Sequence, residues 1–265
     1  LDDRDGLSYQ WKFVGQIAAV LILMSGGIVI EHLPFTPVHD SAPWLSYGIT
    51  FLFLLGSINA VNLSDGLDGL AAGISLLSLC LLALLAYQSG NREVAFLSMA
   101  LVGGLIGFLR YNTFPARIFL GDTGSQFIGL MLASLAIMLT QTNSPYSPML
   151  PLLMLGLPIL DTLLVMAIRL YRGRSPFAAD SNHVHHQLIV LGLFHYEVVA
   201  LLYLVQIVLV CAAYVLRFQS DLLILVFYGV VGALLVGFLG VMRLRDRKLR
   251  TPSDGAQEDR RNHFL

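Results

Sequence analysis

The run Leu67-Asp-Gly-Leu-Ala-Ala-Gly-Ile-Ser-Leu-Leu-Ser-Leu-Cys-Leu-Leu-Ala-Leu-Leu-Ala-Tyr87 carries a single charged residue, Asp68, and that residue stands at its start. About 20 predominantly apolar residues suffice for a helix to cross the hydrocarbon of a bilayer. The stretch therefore reads as a membrane span with a polar mouth. Comparable runs, bounded by turn residues, lie near 14–31, 46–63, 94–112, 118–140, 149–170, 197–216 and 221–242, so eight spans are expected in all. The runs are continuously apolar rather than alternating, which excludes a transmembrane β-barrel. The expected fold class is all-α: a polytopic transmembrane helix bundle.

Composition agrees. The 265 residues are 56% hydrophobic and only 12% charged, with a mean hydropathy of +0.74. A soluble domain carries about 25% charged residues, and half that density cannot coat a water-facing surface. A soluble enzyme, a nucleic-acid binder and a disordered chain are all disfavoured, and no nucleic-acid partner is expected. The two cysteines, Cys80 and Cys211, sit in apolar stretches and are expected to pack as small hydrophobes. The chain opens Leu1-Asp2-Asp3 without an initiator methionine or a signal peptide, and is read as one whose N-terminal part is absent.

The basic residues orient the bundle. Arg4, Lys12, Arg110, Arg117, Arg169, Arg172, Arg174, Arg243, Arg245, Arg247, Lys248, Arg250, Arg260 and Arg261 fall on the side that holds residue 1; the opposite side has Arg92 and Arg217. Cytoplasmic loops hold the excess of Lys and Arg, so the first side is expected to face the cytosol. Four polar clusters share it: Asp2/Asp3/Asp5, Asn62–Asp68, Asn112–Asp122 and Asp180–His186. Random loop polarity would spread over both sides. One-sided clustering points to a single site built at the inner membrane surface from several connectors. Residues 1–242 are read as one transmembrane domain, and 243–265 as a charged cytoplasmic tail without apolar periodicity.

Each cluster admits a bland and a sharp reading. Asp65 and Asp68, three apart, share a face if they form a first helical turn. They either cap the next helix through its dipole and free N–H groups or contribute, with amide oxygens, to a hard-cation site. Gly66, Gly69 and Gly73 permit close approach of backbone or ligand, or simply helix packing. Pro115 breaks one helix, and Gly121-Asp-Thr-Gly-Ser125 opens the next, leaving Asp122 within about a turn of the membrane boundary, where an unpaired carboxylate is expensive. Asp161 lies inside a span, about 12 Å from its end at 1.5 Å per residue; it either lines the site or pairs with a neighbouring helix. His183, His185 and His186, following Arg169, Arg172 and Arg174, suit anion binding better than zinc, or else form a solvated loop.

Taken together, the segments resemble the polyprenyl-phosphate N-acetylhexosamine-1-phosphate transferases, the membrane family of WecA- and MraY-type enzymes. The matching motifs are Leu1-Asp2-Asp3 with Gly6-Leu7-Ser8 and Lys12; Asn59-x-x-Asn62-Leu-Ser-Asp65-Gly-Leu-Asp68-Gly-Leu; Asn112-x-x-Pro115-Ala-x-Ile-Phe-Leu-Gly121-Asp122-Thr-Gly-Ser125; Pro158-Ile-Leu-Asp161; and Asp180-x-x-His183-x-His185-His186. Their order and spacing match across residues 1 to about 195, and the histidine segment is similar to the WecA branch. Ser181 departs from the pattern, standing where the family often has Arg.

The resemblance implies transfer of an N-acetylhexosamine-1-phosphate, N-acetylglucosamine foremost, from a UDP-sugar to undecaprenyl phosphate. UMP leaves, and the lipid-linked product begins a cell-envelope polysaccharide. It implies magnesium (manganese as substitute), a bacterial cytoplasmic membrane setting, a site facing the cytosol and a possible assembly as a homodimer. Asp122 is the expected metal ligand, with Asp68 or Asp65 completing or supporting the coordination. Asp2 or Asp3 would deprotonate and position the lipid phosphate, or attack as nucleophile. Lys12, Asn62, Asn112, His183, His185 and His186 would contact substrate. Two other readings are a phospho-N-acetylmuramoyl-pentapeptide transferase and, in a different class, a secondary transporter. A transporter places its polar residues near the midplane of two related halves; here only Asp161 lies deep and no such halves occur.

Overall fold

A computed structural model describes residues 9–33, 36–37, 42–141, 144–176 and 183–249. The helices are α1 (Tyr9–Ser25), α2 (Pro43–Leu63), α3 (Leu70–Gln88), α4 (Arg92–Asn112), α5 (Gly121–Thr140), α6 (Leu150–Met154), α7 (Gly156–Tyr171), α8 (Val184–Val190), α9 (His195–Leu216) and α10 (Asp221–Leu249). Between α1 and α2 a two-residue antiparallel ladder pairs β1 (His32–Leu33) with β2 (Thr36–Pro37). The helical class stands.

The expected runs take two forms. Among the described residues six helices are long and apolar enough to cross a membrane: α2, α3, α4, α5, α9 and the Asp221–Met242 part of α10. The other two expected runs are a shorter helix and a broken one. The first, 14–31, yields the 17-residue α1, which stops at Ser25 ahead of Gly26-Gly27. The other, 149–170, is split at Leu155 into α6 and α7.

That break has a local cause. Pro158 has no N–H, so the carbonyl of Met154 loses its helical donor four residues on. Inside a membrane such a group must be satisfied by protein. Gln206 of α9, fully buried, does this: its Nε2 donates to Met154 O at 3.0 Å and its Oε1 accepts from Leu157 N at 3.0 Å. Ser78 of α3 donates to the same carbonyl at 2.5 Å. One glutamine and one serine thus replace the interrupted ladder and tie α3, α6, α7 and α9 together.

The hub of the bundle is α3, whose apolar window is 72% buried against 22% for α4. It packs on α4, α5 and α9, while α2 packs on α1, α5 and α7. The outer helices turn large apolar side chains outward, Phe96, Met99 and Ile106 of α4 among them. An apolar exterior of this kind is what a lipid environment requires. Cys80 and Cys211, read as small hydrophobes, also lie on this exposed exterior. At the C-terminal end α10 continues past residue 242 to Leu249, so the basic segment begins as helix.

Candidate active site

Three connectors meet at one end of the bundle: Ser64–Gly69 between α2 and α3, 113–120 between α4 and α5, and the segment entering α8. Asn112 joins the first two. Its Oδ1 accepts from Gly69 N at 3.0 Å and its Nδ2 donates to Ile118 O at 2.9 Å. Asp68 adds a second tie, its Oδ2 accepting from Ala116 N at 2.9 Å. The one-sided clustering of polar residues along the chain is thus realised as direct contact.

Asp65 and Asp68 do not occupy a helical turn as their spacing suggested. They stand in the turn before α3, whose first flanking residue is Gly69 at φ +78°, a conformation that favours glycine, and no side chain caps the helix. The capping reading is therefore set aside: Asp68 binds backbone across the connector instead. Asp122 is in the first turn of α5, as expected.

A cavity of about 320 Å³ opens here, lined by Asn62, Asp65, Asp68, Asn112, Leu120 and Asp122 among others. Burial, reinforced by the neighbouring Asp122 and Asp68 carboxylates, pushes the Asp65 carboxyl up from its ordinary 3.8 to about 6. A second cavity of about 470 Å³ adjoins it, lined by Tyr9, Lys12, Gln16, Asn59 and Gln126, with Asn62 and Asp122 on the shared wall. Lys12 reaches across this space to Asp122 Oδ2 at 2.5 Å. Among the described residues no three His, Cys, Asp or Glu side chains converge as a ready-made metal cluster.

The histidine segment is not a solvated loop. His183 and His185 are 5% and 2% exposed, and only His186 reaches the surface. His183 Nδ1 lies 2.9 Å from Asp161 Oδ2, and Val184 N donates to Asp161 Oδ1 at 2.8 Å. The His185 ring packs directly beneath Gly66: a Cβ there would fall 2.1 Å from His185 Nε2. Burial and the adjoining His186 push the His185 imidazole down to about 4, so it is neutral at physiological pH.

Asp2, Asp3, Asp180 and Ser181 lie outside the described residues. Of the other expected site residues, Asn62, Asp65, Asp68, Asn112 and Asp122 share one cavity and Lys12 joins them; His183 and His185 sit behind the Asp65–Asp68 turn. Three further contributors join them: Ser125, quoted above only as the end of a motif, and His195 and Tyr203, which were not singled out from sequence. Ser125 donates to Asn62 Oδ1 at 2.6 Å. His195 stacks on Phe114, with ring centroids 4.5 Å apart, and Tyr203 donates to Gly69 O at 2.7 Å. A lone histidine at a helix start and a tyrosine inside a span carry no periodic signal that could have flagged them.

Comparison with known proteins gives a match to glycosyl transferase family 4 over residues 1–140, more than half of the chain. The chain belongs to this family. It is 36% identical over 82% of its length to a Bacillus subtilis (strain 168) protein named "Probable undecaprenyl-phosphate N-acetylglucosaminyl 1-phosphate transferase", covering 62% of that protein. It is 34% identical over 97% of its length to a Mycolicibacterium smegmatis decaprenyl-phosphate N-acetylglucosaminephosphotransferase, covering 68% of it. A phospho-N-acetylmuramoyl-pentapeptide-transferase of Geobacillus kaustophilus is 36% identical over 69% of the chain and 57% of its own length. The chain thus spans roughly three-fifths of most of these relatives. With its apolar helices, family membership identifies a multi-pass membrane protein. The family match covers α1 to α5 and hence every carboxylate of the cavity; Asp161 and the histidines lie beyond it.

Proposed function

We propose that this protein transfers N-acetylglucosamine-1-phosphate from UDP-N-acetylglucosamine to undecaprenyl phosphate, releasing UMP, at the cytoplasmic face of a bacterial inner membrane. The observation that carries this reading is the convergence of Asp65, Asp68, Asp122, Asn62 and Lys12 on two adjoining cavities at one end of an apolar bundle. A lipid substrate enters from the bilayer and a nucleotide from water, so their reaction belongs at such an end. The Bacillus, Mycolicibacterium and Geobacillus relatives are all named for a phosphotransfer of this kind, and the excess of basic residues on the same side supports the cytoplasmic orientation.

Both substrates are anions, and their approach needs positive charge. The donor set is all hard oxygen: Asp122 Oδ1 and an Asp68 oxygen beyond their present partners, Asp65, and the Asn62 carboxamide. Burial first, and then the adjoining Asp122 and Asp68 carboxylates, disfavour the charged Asp65; a divalent cation offsets both, so these residues fit magnesium. When bound, the ion neutralises charge on the diphosphate. Lys12, on the cavity that shares Asp122, binds and orients the lipid phosphate. An oxygen of that phosphate attacks the sugar-bearing phosphorus and the bond to the UMP oxygen breaks. Asp2 or Asp3 holds the acceptor in its deprotonated form. Asn112 keeps the two connectors in register.

The test is UMP release by the protein in nanodiscs, with undecaprenyl phosphate, magnesium and a panel of UDP-sugars that includes the muramoyl pentapeptide. UMP is expected only when lipid acceptor, UDP-N-acetylglucosamine and metal are all present. UMP release independent of the acceptor, or none from folded protein, overturns the reading. Turnover confined to the muramoyl donor replaces the sugar.

A further inference from the structure

Asp161 lies in the second turn of α7, 4% exposed and away from both cavities, yet both of its oxygens are used on one target. Oδ2 holds His183 Nδ1 at 2.9 Å and Oδ1 holds Val184 N at 2.8 Å. The His183 side chain makes no capping bond of its own at the start of α8. Asp161 therefore supplies from another helix what α8 lacks locally. The break at Leu155 and Pro158 allows α7 to start afresh just before it.

We propose that Asp161 is a positioning residue, which fixes the ring orientation and tautomer of His183 and the start of α8 and thereby seats His185 against the Asp65–Asp68 turn. The inference rests on the transferase reading above for its kinetic consequence, though not for its geometry.

Three observations connect Asp161 to the site. A carboxylate accepts, so His183 Nδ1 must carry a proton, and a carboxylate behind an imidazole is the usual device for setting its tautomer. The Nε2 atoms of His183 and His185 are buried with no hydrogen-bond partner among the described residues. With Nδ1 donating to Asp161, His183 Nε2 is left as an acceptor. The two rings lie nearly parallel, 13° between planes and centroids 6.0 Å apart, so a rotation of one is felt by the other. His185 in turn has no slack, because its Nε2 fills the place that any side chain at position 66 would need. Asp161 and His185 also line a single narrow crevice with Ser64, the residue before Asp65.

An asparagine at 161 can satisfy only one of the two donors, whereas glutamate keeps both acceptors on a longer arm. Selective ¹⁵N-histidine NMR of the protein in nanodiscs reads the tautomer directly, with His183→Gln assigning the signal. The wild type is expected to show His183 protonated at Nδ1, and Asp161→Asn to move that proton to Nε2 and shift His185 as well. In kinetics, Asp161→Asn is expected to raise the KM for UDP-N-acetylglucosamine about tenfold, as loss of a supporting hydrogen-bond partner typically does. The KM for undecaprenyl phosphate stays unchanged, and Asp161→Glu recovers part of the loss. A wild-type His183 protonated at Nε2, an unshifted His185, or equal changes in both KM values would overturn the proposal. If no UDP-sugar is turned over, the transferase reading fails while the NMR arm still decides the role of Asp161.

Discussion

The two ends of the bundle use polar side chains in opposite ways. At the end holding residues 26–33, 141 and 144–149, they are spent mostly on backbone. Gln141 Oε1 accepts from Glu31 N and His32 N at 3.1 and 2.9 Å, Thr50 Oγ1 accepts from Ile30 N at 2.8 Å, and Ser46 donates to Ile30 O. Ser147 donates to Asp221 at 2.5 Å. These groups close loops. At the other end Asp65, Asp68 and Asp122 are held near one another by Asn112 and Ala116, with a cavity between them. Stability is maximised where polar groups neutralise each other locally; a site needs them gathered and incompletely satisfied. The difference is what the proposed function requires of the two ends.

Several variants would break or sharpen this contrast. Asp122→Asn should lower magnesium-dependent UMP release about 10³-fold, a loss of several kcal/mol of charge stabilisation, while the melting temperature in nanodiscs holds. Full turnover by that variant removes Asp122 from the site. Gln206→Leu, between the two ends, leaves Met154 O and Leu157 N short of partners inside the bundle. It should cost about 3 kcal/mol of stability, seen as a lower melting temperature, with the substrate KM values unchanged below the transition. Gly66→Ala drives a methyl into the His185 ring; turnover should fall by up to about 10²-fold, the scale of a misplacement near 1 Å.

Asp65 offers a pH test. Its carboxyl is raised from 3.8 to about 6 by burial and by the Asp122 and Asp68 carboxylates, so the folded state favours the protonated form. The resulting cost to stability is absent below pH 3.8, grows between 3.8 and 6, and is full above 6. In EDTA, Asp65→Asn should therefore stabilise the protein at pH 7.5 by about 1–2 kcal/mol, allowing for partial solvent screening, and have no effect near pH 3.5. Magnesium should erase the difference by stabilising the wild type. A pH-independent gain would show that ionisation of the buried Asp65 carboxyl is not the cause. Gln141→Leu at the far end should do least: about 1 kcal/mol of stability and unaltered kinetics, and a kinetic defect there would mean the ends are coupled.

The helical class and the gathering of polar groups at one end were legible in the sequence. Continuous apolar runs with so few charges permit only a helical bundle in lipid, because backbone polar groups there must be satisfied within each helix. The placement of Asp65, Asp68, Asp122 and His183 in connectors of one parity put them at one end before any coordinates. What only the tertiary structure decided depends on contacts between segments far apart in the chain. Spacing offered Asp65 and Asp68 a shared helical face, whereas the left-handed Gly69 leaves them in the turn before α3. The span at 149–170 read as continuous, yet Pro158 interrupts it, and the interruption is tolerable only because Gln206, 49 residues beyond Leu157, can reach it. Asp161 had two readings from its depth alone. It turned out to hold His183, 22 residues away, because a buried carboxylate takes the nearest available donors and chain folding, not periodicity, brings them there.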